Sequence, residues 1–214
     1  MILQPEYLSK IYDISPFISS ESSVFPGDKP FYEKVTLDYK KGDKIKLSSF
    51  EMSPHIGAHA DAPLHYSEGG KAIDQQSLEI YMGPCTVIDV SKTKNIRLLP
   101  QDIKLVQKLN PRVLFKTNSI KSFNHWQDDF IALSPELVFE LSKREVILVG
   151  IDTPSVDPSK DSELLSHTAC FNYDVSILEN LDLKNVQEGN YNLIALPLKL
   201  KGLEASPTRA ILIG

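Results

Sequence analysis

The sequence has few cysteines, no excess of basic residues and no long apolar run, and each absence excludes a class of protein. Its two cysteines, Cys85 and Cys170, form no CxxC pair, so we expect buried, reduced thiols in a cytoplasmic protein. The net charge of −5 argues against a nucleic-acid-binding surface. No apolar stretch approaches the ~20 residues of a membrane span. The N-terminal MILQPEYLSK also lacks the regions of a secretory signal, so neither nucleic acid nor membrane is an expected partner.

What the chain does contain is typical of a globular α/β protein. At 214 residues, with 42% hydrophobic and 24% charged residues, it can bury one core, and we expect a single domain over residues 1–214. Strand patterns outnumber helical ones, and the helices fall between strands, which predicts a compact domain with a mixed sheet. Apolar spacing favours helices over 100–109, 135–143 and 162–170, the second with an N-cap at Ser134. The run VILVGI at 146–151 predicts a strand buried on both faces.

Three histidines and one carboxylate lie within the segment HIGAHADAPLH, residues 55–65. All four occupy odd positions and would project to one side wherever the segment is extended. A fully extended segment would span roughly 33 Å, too far for all of them to reach one small site. We therefore expect a bend, which Pro54, Gly57 and Pro63 allow. Histidine and carboxylate are ordinary ligands of a water-activating metal, so the segment predicts a metal site made from His55, His59, Asp61 and His65.

Two residues further along the chain are weaker candidates when each is taken alone. His167 follows a proline-rich loop, and Glu179 ends the otherwise apolar run VSILE, where a partly buried charge would need a partner or a metal. His125, in the polar segment NHWQDD, is interpreted as a surface residue. Three further carboxylates are interpreted as turn-capping residues outside the site: Asp13, Asp152 and Asp157.

Four segments of the sequence resemble the kynurenine formamidase branch of the metal-dependent cyclase family. HIGAHADAPLH is similar to the HxGTHxDxPxH signature of that family. GIDTPSVDP, followed by His167 and by Glu179 in ILENL, looks like the second signature of the branch. The opening IYDISP with FPGD and the ending LIALPLKLKGLEASPTRAILI are also similar to it. The resemblance covers nearly the whole chain, with its four segments in the family's order.

This resemblance implies a fold, a metal centre and a reaction. The fold would be a compact α/β domain with a central mixed, barrel-like sheet and flanking helices, commonly assembled as a homodimer. Two metals per subunit, usually zinc, would be bound, with manganese or another divalent ion as alternatives. His55 and His59 would bind one metal, and His167 and Glu179 the other, with Asp61 as the bridge. His65 would be the catalytic acid or base and not a ligand.

The implied reaction is hydrolysis of N-formylkynurenine to kynurenine and formate, as in tryptophan degradation.

Two positions depart from the family pattern. Ala58 replaces a threonine, which predicts looser geometry without loss of the metal. Phe25 replaces a tryptophan before Pro-Gly-Asp and is our candidate for the surface that contacts the substrate ring.

Three alternatives remain open at this point. The first is a related hydrolase of another aryl amide, or of a cyclic amide such as isatin. The second is a structural metal site in a binding protein, although such sites are often rich in cysteine and neither cysteine is nearby. The third is a serine hydrolase, for which the chain contains no GxSxG motif.

Overall fold

A nine-stranded, curled mixed sheet dominates the computed structural model, which describes residues 10–103 and 106–214. The strands are numbered in chain order. In spatial order the sheet consists of β1 (Ile11–Asp13), β13 (Ile211–Ile213), β11 (Gly189–Ile194), β5 (Met82–Asp89), β7 (Arg112–Lys116), β9 (Leu148–Ile151), β10 (Ser176–Glu179), β4 (His59–Asp61) and β12 (Ala205–Pro207). The run from β5 through β10 is parallel, and the flanking pairs are antiparallel. The predicted α/β class with a central mixed sheet is confirmed.

Two smaller sheets and several short helices complete the described fold. Strands β2 (Tyr32–Leu37) and β3 (Leu47–Glu51) form an antiparallel hairpin, while β6 (Arg97–Leu98) and β8 (Ala132–Leu133) pair in parallel. The α-helices are α1 (Pro135–Lys143) and α2 (Leu165–Asn172). Single turns of 3-10 helix occur at Tyr39–Lys41, Pro63–His65, Ile73–Gln75, Leu78–Tyr81 and Pro100–Ile103. None of the helices among the described residues combines the length and apolarity needed to cross a bilayer.

Helix α1 begins where the sequence predicts it. The Ser134 hydroxyl accepts a hydrogen bond from the Leu137 amide at 3.1 Å, and Pro135 occupies the first helical position, where no amide hydrogen is needed. The predicted helix over 162–170 is found as α2, shifted a few residues toward the C-terminus.

The predicted helix over residues 100–109 is wrong. A 3-10 turn covers Pro100–Ile103, residues 104–105 lie outside the described part, and residues 106–110 are irregular. The Val106 amide bonds the Ile103 carbonyl, an i to i−3 contact typical of a tight turn, and the Arg144 guanidinium binds the carbonyl oxygens of Val106 and Gln107. Asn110 precedes Pro111, which disfavours helical backbone at that end of the segment.

The core lies on both faces of the large sheet. Along β7, Val113 and Phe115 pack into one buried cluster with Leu137 of α1, while Leu114 packs into a second cluster on the opposite face. Every residue of β9 is buried, as the sequence predicts for a strand covered on both sides. Burying each large apolar side chain contributes about 1.5–3 kcal/mol. These layers fix the positions of β4, β10 and α2, the elements that carry the candidate metal ligands.

Candidate metal centre

The centre is built where β4 pairs with β10. Residue Glu179 of β10 lies directly opposite His59 of β4, and Ile177 lies opposite Asp61. Cross-strand partners project to the same face of a sheet, so His59 and Glu179 meet on the face that also carries Asp61. The Glu179 Oε2 atom is 3.3 Å from His59 Nε2, and Asp61 Oδ1 is 3.5 Å from the same nitrogen. All three side chains are buried.

The chain bends before β4, as expected, and the bend brings His55 back to the centre. Residues 54–58 form a turn in which Gly57 has φ of 66°, a conformation that L side chains rarely adopt. A Cβ at this position would also lie 2.8 Å from Ile18 Cγ1. His55 Nδ1 then lies 3.1 Å from Asp61 Oδ1, and its Nε2 lies 3.6 Å from Oε1 of Glu204.

The imidazole of His59 is oriented by the same turn. Its Nδ1 atom is 2.9 Å from the Gly57 carbonyl oxygen, so this nitrogen carries a hydrogen and Nε2 points toward the two carboxylates. Burial alone disfavours the charged ring, but Glu179 and Asp61 outweigh it and raise the pKa of His59 to about 9. The electrostatic field at this nitrogen therefore favours a positive charge.

Helix α2 supplies His167 with a comparable orientation. Its Nδ1 atom is 2.8 Å from Asp157 Oδ2, and the Asp157 carboxylate also accepts the backbone amides of Ser166 and His167 at the start of the helix. The Nε2 atom faces Asp61 Oδ2 and Glu179 Oε1, each at 3.6 Å. Although burial opposes protonation, these carboxylates raise the pKa of His167 to about 10.

Arg97 holds Asp157 from the side away from His167. Its Nη1 atom donates to Asp157 Oδ1 at 2.9 Å and to the Ser166 hydroxyl at 2.9 Å, and its Nη2 atom bonds Asp161. Burial tends to raise the pKa of Asp157, but its hydrogen bonds to His167 and Ser166 lower the pKa below the ordinary range. The carboxylate is therefore ionised and able to orient the imidazole.

Four buried polar atoms converge without a hydrogen-bond partner among the described residues. They are His59 Nε2, His167 Nε2, Asp61 Oδ1 and Asp61 Oδ2. Leaving such atoms unpaired in a protein interior is costly unless another group satisfies them. Two imidazole nitrogens and a carboxylate with both oxygens free form a donor set that suits a divalent cation. The residues therefore fit a metal site, and Asp61 presents one oxygen to each side of it.

His65 lies at the rim of this group, within the 3-10 turn Pro63–His65. Its ring centroid is 4.3 Å from that of His55 and 5.8 Å from that of His167. The residue is exposed, and across the described ranges its imidazole makes no hydrogen bond. Partial desolvation, together with the neighbouring His55 and His167, lowers the pKa of His65. The ring is thus neutral near pH 7 and accessible from the cleft.

A cleft of about 830 Å³ opens above the group. Its walls include His55, His59, His65, His167 and Glu179, and on the outer side Phe25 and Trp126. A second cleft of about 860 Å³ elsewhere on the molecule contains no histidine in its lining. The cleft over the histidines is therefore the one in which a bound molecule would meet the centre.

Six of the seven sequence-predicted site residues line this cleft, Asp61 is buried beneath it between the histidines, and the structure adds other residues. His125 is exposed, as predicted, whereas the adjacent Trp126 lines the cleft. Asp157 caps α2, as a turn carboxylate would, but it also binds His167, a role the sequence reasoning missed. Glu204, which faces His55, was missed as well. Asp157 and Glu204 lie within segments that resemble the family, GIDTPSVDP and LIALPLKLKGLEASPTRAILI, and this position was the available signal. Their roles were missed because each reaches the site through a contact with another part of the chain.

The chain is similar over nearly its whole length to known proteins. The chain is 44% identical over 206 residues to the kynurenine formamidase of Bordetella pertussis, covering 96% of this chain and 98% of that protein. A predicted metal-dependent hydrolase from Bacillus stearothermophilus shares the structure with a TM-score of 0.80 at 31% identity, covering 95% of this chain and 97% of that one. Isatin hydrolase A from Labrenzia aggregata shares the fold, with a TM-score of 0.81 at 24% identity, covering 97% and 94% of the two chains. Residues 12–158 match the family model described as putative cyclase, so the chain belongs to the cyclase family.

Proposed function

We propose that the protein is a metal-dependent kynurenine formamidase, which hydrolyses N-formyl-L-kynurenine to L-kynurenine and formate. The observation that carries this proposal is the convergence of four unpaired, buried ligand atoms beneath a cleft with an aromatic outer wall. The nearly full-length similarity to a kynurenine formamidase supports the choice of substrate. A formyl amide needs a polarised carbonyl, an activated water and a proton for the departing nitrogen.

The proposed ligand set contains two metal ions per subunit, with zinc as the expected metal and manganese or another divalent ion as a substitute. His55 and His59 would hold one ion, and His167 and Glu179 the other. Asp61 would bridge them, because its Oδ1 atom faces His55 and His59 while its Oδ2 atom faces His167. Glu179 closes the opposite side, with one oxygen toward each of the two buried imidazoles.

The proposed proton carrier is His65. When bound, the metal pair would supply Lewis acidity, which lowers the pKa of water and polarises a carbonyl group. The neutral His65 ring accepts a proton as water adds to the formyl carbon. It then donates that proton to the aryl nitrogen as the C–N bond breaks, releasing formate and the free amine. The lowered pKa of His65 suits both steps, since the ring is neutral before the attack and gives up its proton readily.

The proposed contact for the substrate's ring is Phe25, which lies on the cleft wall with 48% of its surface exposed. The formyl group is the smallest acyl group and would sit deepest, next to the histidines. The exposed aromatic side chain of Phe25, farther out on the cleft wall, would offer apolar surface to the aryl ring of the substrate.

We also propose that the enzyme is a cytoplasmic homodimer, in line with the family resemblance. Both cysteines are free and buried, which suits a reducing compartment. The β2–β3 hairpin exposes Tyr32, Leu47 and Phe50, side chains that are at least half accessible and would gain from burial against a second copy. Sedimentation equilibrium is expected to give twice the chain mass, and a monomer at micromolar concentration would contradict the proposal.

Replacing Asp157 with asparagine is expected to weaken metal binding by about 10- to 100-fold. Asparagine keeps the size of the side chain but loses the charge that fixes the His167 tautomer and pairs with Arg97. Competitive titration with a chromophoric chelator measures the affinity. The exposed substitution Asp128→Asn serves as the matched control and should bind metal as the wild type does. Unchanged metal affinity in the Asp157 variant would mean that the carboxylate caps helix α2 but does not support the metal site.

The deciding experiment is hydrolysis of N-formylkynurenine by purified protein before and after chelation, followed by readdition of zinc. Activity is expected to disappear with the metal and to return with zinc, while circular dichroism shows that the chain remains folded. Isatin, tested in parallel, is expected to be turned over at least about 100-fold less efficiently, a difference of about 2.7 kcal/mol in transition-state binding. A folded, metal-loaded protein that hydrolyses isatin better would overturn the substrate assignment.

A further inference from the structure

Two aromatic residues from different loops meet on the outer wall of the cleft. Phe25 and Trp126 pack edge to face, with ring centroids 5.0 Å apart and an interplanar angle of 72°. Both line the same cleft as His55 and His65. A backbone hydrogen bond of 2.8 Å from the Ser23 amide to the Phe123 carbonyl joins the two loops within three residues of these aromatic side chains. The wall is therefore one connected aromatic surface.

The indole of Trp126 is held in place from two further directions. Its Nε1 atom donates to Asp128 Oδ1 at 2.9 Å, which fixes the rotation of the ring. The ring of Phe130, which is only 2% exposed, packs edge-on against it at 6.2 Å and anchors it to the core. A large ring fixed in this way presents apolar surface to a ligand at little cost in side-chain entropy.

We propose that Trp126 is a specificity-determining residue that contacts the aryl ring of the substrate and selects aryl amides over alkyl amides of similar size. The identity of the natural substrate in this inference rests on the proposed function. The contact between Trp126 and an aryl ring does not depend on it. Aromatic pairs in offset or edge-to-face geometry bind about 2- to 12-fold more tightly than area burial alone provides. A saturated ring of the same size would lose this contribution.

The chain allows a direct test, because Trp126 is its one tryptophan. Intrinsic fluorescence excited at the red edge of indole absorption therefore reports on this side chain alone. The probes are benzamide and cyclohexanecarboxamide, a matched pair that differs in the aromaticity of the ring and carries no formyl group to hydrolyse. Benzamide is expected to change the emission saturably, with an apparent Kd at least about threefold lower than that of the cyclohexane analogue. Equal affinities, or no change with either amide, would overturn the proposal.

Kinetics of two variants provide the second readout. Trp126→Leu is expected to raise KM for N-formylkynurenine about tenfold while kcat changes by less than about threefold, and Trp126→Phe to recover most of the loss. Thermal unfolding and metal content show whether a variant is misfolded. If Trp126→Leu is misfolded, the wild type is compared with Trp126→Phe and Trp126→Tyr instead. A leucine variant with wild-type KM would refute the role. If the wild type binds benzamide selectively but does not hydrolyse N-formylkynurenine, the proposed function fails while the aryl contact stands.

Discussion

Asp61→Asn is expected to abolish stoichiometric metal binding and to lower kcat/KM for N-formylkynurenine by at least about 10³-fold. The reason lies in the position of the carboxylate between the histidines. Asp61 is buried, with Oδ1 toward His55 and His59 and Oδ2 toward His167. An asparagine would present one weak acceptor and one amide donor in the same space, so one side of the site would face a repelling N–H group. Metal content by atomic emission and steady-state kinetics measure the two effects.

The matched control for this variant is Asp152→Asn. Asp152 is also a buried aspartate, but its oxygens accept hydrogen bonds from the Thr117 and Asn118 amides and face no histidine. Its replacement is expected to lower the free energy of unfolding by about 1–3 kcal/mol and to leave metal content unchanged. An Asp61→Asn protein that keeps its full metal content would show that the carboxylate does not bridge the ions.

The second large effect is expected at His65. His65→Ala should keep its metal and lose about 10²- to 10⁴-fold in kcat, the range for removal of a general acid–base group. The ring lies at the rim of the cleft, and its pKa is lowered by partial desolvation and by two neighbouring imidazoles. This position suits the proposed transfer of a proton between water and the departing nitrogen. Exogenous imidazole should restore part of the activity if the loss is one of proton transfer.

The geometry also defines how this second prediction could fail. Nitrogens of His55 and His65 and an oxygen of Asp61 all fall within 4.8 Å of one another, close enough to share one ion. Loss of metal in His65→Ala would thus make His65 a ligand and move the proton transfer elsewhere. His125→Ala is the control, because His125 is an exposed histidine outside the cleft. Its removal should change neither the metal content nor kcat.

The sequence predicted which residues would come together better than it predicted how they are arranged. The segment from His55 to His65 is conspicuous because four potential ligands lie close together along the chain. Glu179 is weak by itself, and its position opposite His59 depends on the pairing of β10 with β4, which no local pattern specifies. The N-cap at Ser134 was predictable because capping is a local interaction, whereas the apolar spacing over 100–109 did not distinguish an α-helix from the short turns found there.

Residues that support the proposed ligands were the hardest to predict. Asp157 was expected to cap a turn, and it does, but the same carboxylate also orients His167. The two roles draw on the same residue type at the same position, so the sequence alone cannot separate them. Trp126 likewise belongs to a polar segment, and only packing against Phe25 places it on the cleft wall. Such contacts arise from tertiary structure, in which loops distant in sequence meet.

The position of β4 between β10 and β12 has a consequence for how the protein is made. This three-residue strand comes from the first third of the chain, and both its partners come from the last fifth. Neighbours so distant in sequence meet late, because closing a long loop costs entropy before any contact repays it. During synthesis, HIGAHADAPLH is therefore made before the two strands that flank β4. We accordingly expect capture of the proposed metal ions to be coupled to closure of this part of the sheet.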